Sequence, residues 1–300
     1  MHAVVLVSGG AAVTPYTTPD AAAATGLAAG NTMTAIRAAL LERGHTVYTS
    51  PARVGDGQVR EDSGWQGFGD VPEVLPAEIT VNAVGTIDDA GRRLAAFLRH
   101  LAAEQGVESV DLVAHSMGGL FSRAAISEFR VSSGPTVQRL ITIGTPWTGS
   151  VLGDYYAGDI ALEAAHGHEI TEQIFRETQK FAAEKSQGAA DQVSSRYLTG
   201  ESGWNARHAG ELDGIAVTVI AGTYYDEHSE PTTLWPHDGL VQRASALALD
   251  VPTSVLPAHE AFEFDDIHSI FFANIAGIPW ERAITWDPRV IDVIDEALRR

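Results

Sequence analysis

Short runs of β-branched and aliphatic residues recur along the chain, with helix-period segments between them. Ala3 to Val7, Thr46 to Thr49, Ser109 to Ala114, Arg139 to Ile143, Ala216 to Ala221 and Ser254 to Leu256 each read as a strand. Val110, Leu112 and Val113, then Leu140, Ile141 and Ile143, show no polar alternation, the pattern of strands buried on both faces. Strands that alternate with helices predict an α/β fold with a mainly parallel central sheet flanked by helices. Between the second and third strands, Thr86 and Asp89 are spaced as a capping box. The helix they open carries Ala90, Leu94, Phe97, Leu98 and Leu101 on one face and is expected to stop near Gly106. At the end of the chain Asp287 reads as an N-cap and Pro288 as the first helical residue, with Ile291, Ile294 and Leu298 facing inward.

Two stretches break the alternation. Val54 to Pro76 is rich in Gly, Asp and Pro and is expected to be a long surface loop. Ser150 to about Gly214 offers no central strand but contains Glu169 to Lys185, with Ile170, Ile174, Phe181 and Ala182 on a stripe. Because it lies between two core strands, residues 150–214 are expected to form a helical cap or lid inserted into a core of residues 1–149 and 215–300. A pair of ordinary surface helices is the alternative.

Composition narrows the chemistry. The 300 residues include no cysteine, which excludes disulfides, thiolate metal sites, iron–sulfur clusters and a cysteine nucleophile. Twenty basic side chains against 39 acidic ones give a charge of −19 with no Lys/Arg cluster, so neither nucleic acid nor an anionic membrane surface is an expected partner. No apolar run approaches the roughly 20 residues that span a bilayer. Met1-His2 leads straight into the first strand without a basic n-region, which favours a cytoplasmic chain or a secreted one whose signal segment has been removed. His166-Gly167-His168-Glu169 is better read as a solvated polar segment than as a metal site, and no cofactor motif is present.

The most informative stretch is Val110 to Leu120, where a buried strand runs into Ala114-His115-Ser116-Met117-Gly118-Gly119 and then a helix-compatible segment. A sharp strand-to-helix turn of this kind holds a serine in a strained backbone conformation, admits only small neighbours, and lifts the hydroxyl above the sheet. The helix that follows aims its N-terminal amides and positive dipole end at the same place, so the Met117 N–H is a natural oxyanion donor. His115, inside the turn, is expected to be structural or to line the pocket wall.

On these residues the chain resembles the α/β-hydrolase superfamily, specifically its bacterial lipase and esterase branch. Residues 114–119 are similar to the lipase nucleophile elbow, Thr142-Ile143-Gly144-Thr145-Pro146 to the strand and loop that follow it, and Asp238-Gly239-Leu240-Val241 to the acid loop. The resemblance implies the α/β-hydrolase fold and the chain order serine, acid, histidine. Asp238 is then the expected acid, with Asp226 its rival, and His268 in Asp266-Ile267-His268-Ser269 the expected base, with His259 its rival; His237 would neighbour the acid. Only His259 and His268 follow both Asp238 and the strand read at Ser254 to Leu256. The second oxyanion donor is expected after the first strand, at Gly10, with Gly9 and Ala11 as alternative registers of Ser8-Gly9-Gly10-Ala11. Where relatives often carry His-x-Gly-Ser this chain has Trp147-Thr148-Gly149-Ser150, so Trp147 is expected at the pocket mouth.

The expected function is hydrolysis of carboxylic esters, hydrophobic or lipid-like, by a Ser-His-Asp triad through an acyl-enzyme. An acyltransferase or thioesterase with the same triad is the alternative within enzymes. A noncatalytic binding protein on the same fold is the alternative outside them.

Overall fold

A computed structural model of the chain describes residues 1–14, 33–60, 74–226 and 234–300. Six strands form the central sheet: β1 (His2–Val7), β2 (Val47–Thr49), β3 (Ser109–His115), β4 (Thr136–Ile143), β5 (Ala216–Gly222) and β6 (Glu260–Phe264). Their spatial order is β6-β5-β4-β3-β1-β2 and every neighbouring pair is parallel.

Successive side chains of a strand point to opposite faces. Val5 and Val7 of β1 therefore join Leu112 and Leu140 in a core beneath helices α1 and α2, taken as Ile87–Gln105 and Gly118–Glu128. Val4 and Leu6 join Val113, Ile141 and Ile220 on the other face, against Thr34–Glu42 and the C-terminal helix Pro288–Leu298. Each such fully buried Val, Leu or Ile side chain contributes about 1.5–3 kcal/mol. Both faces are covered, as the unbroken apolar runs predict.

The local helix signals act as expected. The Thr86 side chain accepts a hydrogen bond from Asp89 N at 3.3 Å, and Gly106 closes α1 in the left-handed conformation. Asp287 accepts from Arg289 N at 2.7 Å with Pro288 in the first turn. Between β4 and β5 the chain forms only helices, the longest being α3 (Glu169–Lys185). Two differences are instructive. Within Val54 to Pro76 the chain is not all loop: Val59–Arg60 pairs antiparallel with Val74–Leu75, and residues 61–73 lie outside the described residues. The last strand is Glu260–Phe264 and not Ser254 to Leu256. Val255 and Leu256 are buried, but Pro252 O accepts both of their amides in a turn, and Pro257 follows without an N–H to extend a ladder.

The topology also marks a place. From β1 the chain steps outward to β2 and then returns to β3 on the other side of β1, so the connections after β1 and β3 diverge. The crevice at the carboxyl ends of two such strands is where open α/β sheets bind ligands.

Candidate active site

Ser116 follows β3 directly, with its backbone at φ 55° in the left-handed region. Serine adopts that conformation only where the surroundings over-determine it. Its N–H donates to Ile143 O at 2.8 Å, and its carbonyl accepts from the Thr145 hydroxyl at 2.8 Å and from Gly119 N at 3.1 Å. Small neighbours are obligatory here: a Cβ on Gly118 would run into Val7 O, and one on Gly119 into the Thr145 side chain. Thr145, in the loop that follows β4, therefore packs on the elbow and holds it.

Asp238 and His268 meet behind the same crevice. His268 Nδ1 lies 2.6 Å from Asp238 Oδ2 and both residues are buried. The other carboxylate oxygen, Oδ1, accepts from the Leu240 and Val241 amides at 2.9 and 2.8 Å. The Asp-Gly-Leu-Val segment thus curls its own backbone around the acid, with Gly239 at φ +106° making the bend. A carboxylate so held fixes the Nδ1–H tautomer of the histidine and leaves Nε2 for chemistry. Gly144, at φ +57°, packs against the pair: a Cβ there would stand 3.1 Å from both Asp238 Oδ2 and His268 Nδ1. The rivals lie elsewhere. Asp226 is solvent-exposed, and His259 is exposed ahead of β6, with Nδ1 3.1 Å from Pro257 O. His237 is buried beside the acid, where its Nδ1 accepts from Gly239 N at 2.9 Å.

Ser116, Met117, Gly10, His115 and His268 line one cavity of about 270 Å³. Of the alternative oxyanion registers, Ala11 is excluded as a donor because its N–H is bonded to Ala83 O at 3.0 Å. The cavity is otherwise lined mainly by apolar residues. Ala83, Ala189 and Val193 line it, as do Phe271 and Phe272, while α3 adds Thr178, Phe181 and Ala182.

One expectation changes, that of Trp147. Trp147 does not line the cavity. It is wholly buried, its indole N–H donates to Thr142 Oγ1 at 3.1 Å, and the Arg123 guanidinium lies 4.8 Å from its ring centre. The Arg123 cation and the apolar core together draw the indole inward. His115 does line the cavity, but its Nε2 is 2.9 Å from His268 O, so the carbonyl of the neighbouring histidine takes its donor. Burial, aided by repulsion from His268, holds its pKa well below the usual histidine range. His168 caps α3, with Nδ1 2.7 Å from Thr171 Oγ1 and 3.3 Å from Thr171 N. Sequence reasoning overlooked Arg123, whose partners are far apart in the chain and leave no local pattern.

Comparison with solved structures aligns 99% of this chain with 94% of the product of gene lin2722 from Listeria innocua, at a TM-score of 0.51 and 14% identity. Residues 83–231 match the family described as PGAP1-like alpha/beta domain. The chain has the α/β-hydrolase fold. Other solved structures similar to this chain include the mature lipase BlEst2 of Bacillus licheniformis, with 17% identity, 92% and 86% of the two chains covered and a TM-score of 0.47. Naproxen esterase from Bacillus subtilis aligns at 12% identity and a TM-score of 0.46, over 99% of this chain and 83% of that one. No curated protein matches this chain significantly.

Proposed function

We propose that this α/β-hydrolase is a serine carboxylic-ester hydrolase with Ser116 as nucleophile, His268 as base and Asp238 as its orienting acid. The observation that carries the reading is the 2.6 Å Asp238–His268 contact, with His268 sharing a cavity with a serine in the left-handed conformation at a strand-to-helix turn. In this reading His268 Nε2 takes the Ser116 proton as Oγ attacks the ester carbonyl. The Met117 and Gly10 amides stabilise the tetrahedral oxyanion, each worth roughly 10²–10³ in rate. His268 then protonates the leaving alcohol, and water repeats the cycle on the acyl-enzyme.

The lining favours an uncharged, hydrophobic ester. Alanines, valines and phenylalanines surround the catalytic groups, and among the described residues that line the cavity Glu177 is the only Asp, Glu, Lys or Arg. With α3 contributing Thr178, Phe181 and Ala182 to the wall, the helical insertion serves as the cap. Hydrolysis rates on a series of uncharged esters of increasing acyl length test this. The reading expects turnover to rise with apolar chain length until the cavity is filled. A flat profile, or activity confined to short soluble esters, would leave a general esterase and remove the hydrophobic specificity.

A further inference from the structure

His268 presents four polar atoms, and three are anchored. Its backbone N–H donates to Asp238 O at 2.8 Å and its Nδ1 to Asp238 Oδ2 at 2.6 Å. Its carbonyl is held by a different part of the chain, His115 Nε2 at 2.9 Å. Among the described residues, only Nε2 is left over. Asp238 fixes one side of the residue. The peptide that leads into Ser269 has His115 as its side-chain hydrogen-bond partner.

We propose that His115 is a positioning residue for the base, a strut that fastens the His268 backbone to the nucleophile's immediate neighbour and so sets the His268 ring relative to Ser116. The inference rests on the serine-hydrolase reading above. A carbonyl can only accept, so His115 must carry its proton on Nε2. Its buried ring lies 4.6 Å from the His268 ring, centre to centre, at an angle of 42°. At that distance a second imidazolium would oppose the positive charge His268 acquires when it takes the serine proton. Burial keeps His115 neutral, so it anchors without opposing. Because Ser116 is the next residue, the strut ties nucleophile and base into one unit whose spacing is independent of the surrounding loops. Although His115 lines the cavity, its donor nitrogen is already engaged, which makes it a poor ligand for substrate.

Two substitutions separate these roles on a short soluble ester. His115→Phe keeps a ring and loses the donor. His115→Gln places an amide nitrogen near the position of Nε2 and keeps it. Displacing a catalytic group by a fraction of an ångström to one ångström costs up to about a hundredfold. The expected result is a fall in kcat of roughly ten- to a hundredfold for His115→Phe with KM almost unchanged, and recovery of most of kcat in His115→Gln. Fluorophosphonate labelling of Ser116 should slow in parallel. A wild-type kcat in His115→Phe would overturn the inference, as would a change in KM alone or a His115→Gln variant as impaired as His115→Phe. If His115→Phe does not fold by near-ultraviolet circular dichroism, His115→Gln is compared with His115→Asn, whose shorter arm cannot reach the carbonyl; equal activity in those two would be fatal. Failure of the wild-type protein to be labelled would instead remove the serine-hydrolase reading itself, so the two failures are distinguishable.

Discussion

At Gly9 there is no room for a side chain. A Cβ there would stand 2.5 Å from Ser116 Cβ, 2.8 Å from His115 O and 3.0 Å from Met117 N, all rigid parts of the elbow. At Gly10 a Cβ would meet the flexible Met117 side chain first, with Sδ at 3.0 Å. Gly9→Ala is therefore expected to cost at least about a hundredfold in kcat, since it must move Ser116, the proposed nucleophile, or the loop facing it. Gly10→Ala, in which Met117 can swing away, is expected to cost far less, and steady-state kinetics on the two variants check the order. The elbow was legible in the sequence because its geometry demands a residue pattern: small side chains around one serine, after an apolar run. The neighbourhood of Asp238 was legible for a similar reason, since an Asp-Gly-Leu-Val turn supplies its own amides to the carboxylate. What Gly9 and His115 touch depends on approach between loops more than a hundred residues apart, and no local pattern records it.

At the scale of elements, Arg123 ties α2 to the helical stretch between β4 and β5. Its guanidinium carbon lies 4.8 and 4.7 Å from the ring centres of Trp147 and Trp204, and the group donates to Glu211 Oε1 at 2.5 Å and Asn205 Oδ1 at 2.6 Å. Arg123 and Glu211 have fully buried side chains. Removing one member of a buried ion pair leaves the other charge uncompensated, so Arg123→Ala is expected to destabilise the protein by about 3–5 kcal/mol. Arg123→Lys should fail to restore it, because a compact ammonium cannot reproduce the planar fork that bonds both Glu211 and Asn205 beside two indole rings. Urea denaturation measures both, and a loss below about 1 kcal/mol for Arg123→Ala would contradict this role, being the value typical of an exposed pair. Elements with strong local signals, the capped helices and the doubly buried strands, were readable from sequence. The outermost strand was not. Glu260-Ala261-Phe262-Glu263-Phe264 is half exposed, and only Phe262 and Phe264 pack inward, whereas the more apolar Val255-Leu256 buries itself in a turn after Pro252.

For the whole molecule, a charge of −19 sets the surroundings in which buried carboxyls titrate. Asp266, two residues before His268, has its side chain wholly shielded, and burial, reinforced by the Asp287 carboxylate, pushes its pKa from 3.8 up to about 7. Between those values the native chain holds a proton that the unfolded chain releases. The group's contribution to stability is thus complete below about pH 4 and is lost as pH rises through about 7. Asp266→Asn mimics the protonated form, so its thermal midpoint relative to wild type should rise more at about pH 8 than at about pH 5. An offset equal at both pH values would mean that Asp266 is ionised throughout. Under the proposed function the same acidic surface would repel carboxylate products, and a hydrophobic ester would enter by apolar contact along α3. All of this converges on one hydroxyl. The most direct measurement is the rate of ester hydrolysis by Ser116→Ala beside fluorophosphonate labelling of the wild-type chain. Labelling confined to Ser116 and a loss of roughly 10⁶-fold in turnover are predicted; a variant that still hydrolyses esters near the wild-type rate would contradict the account.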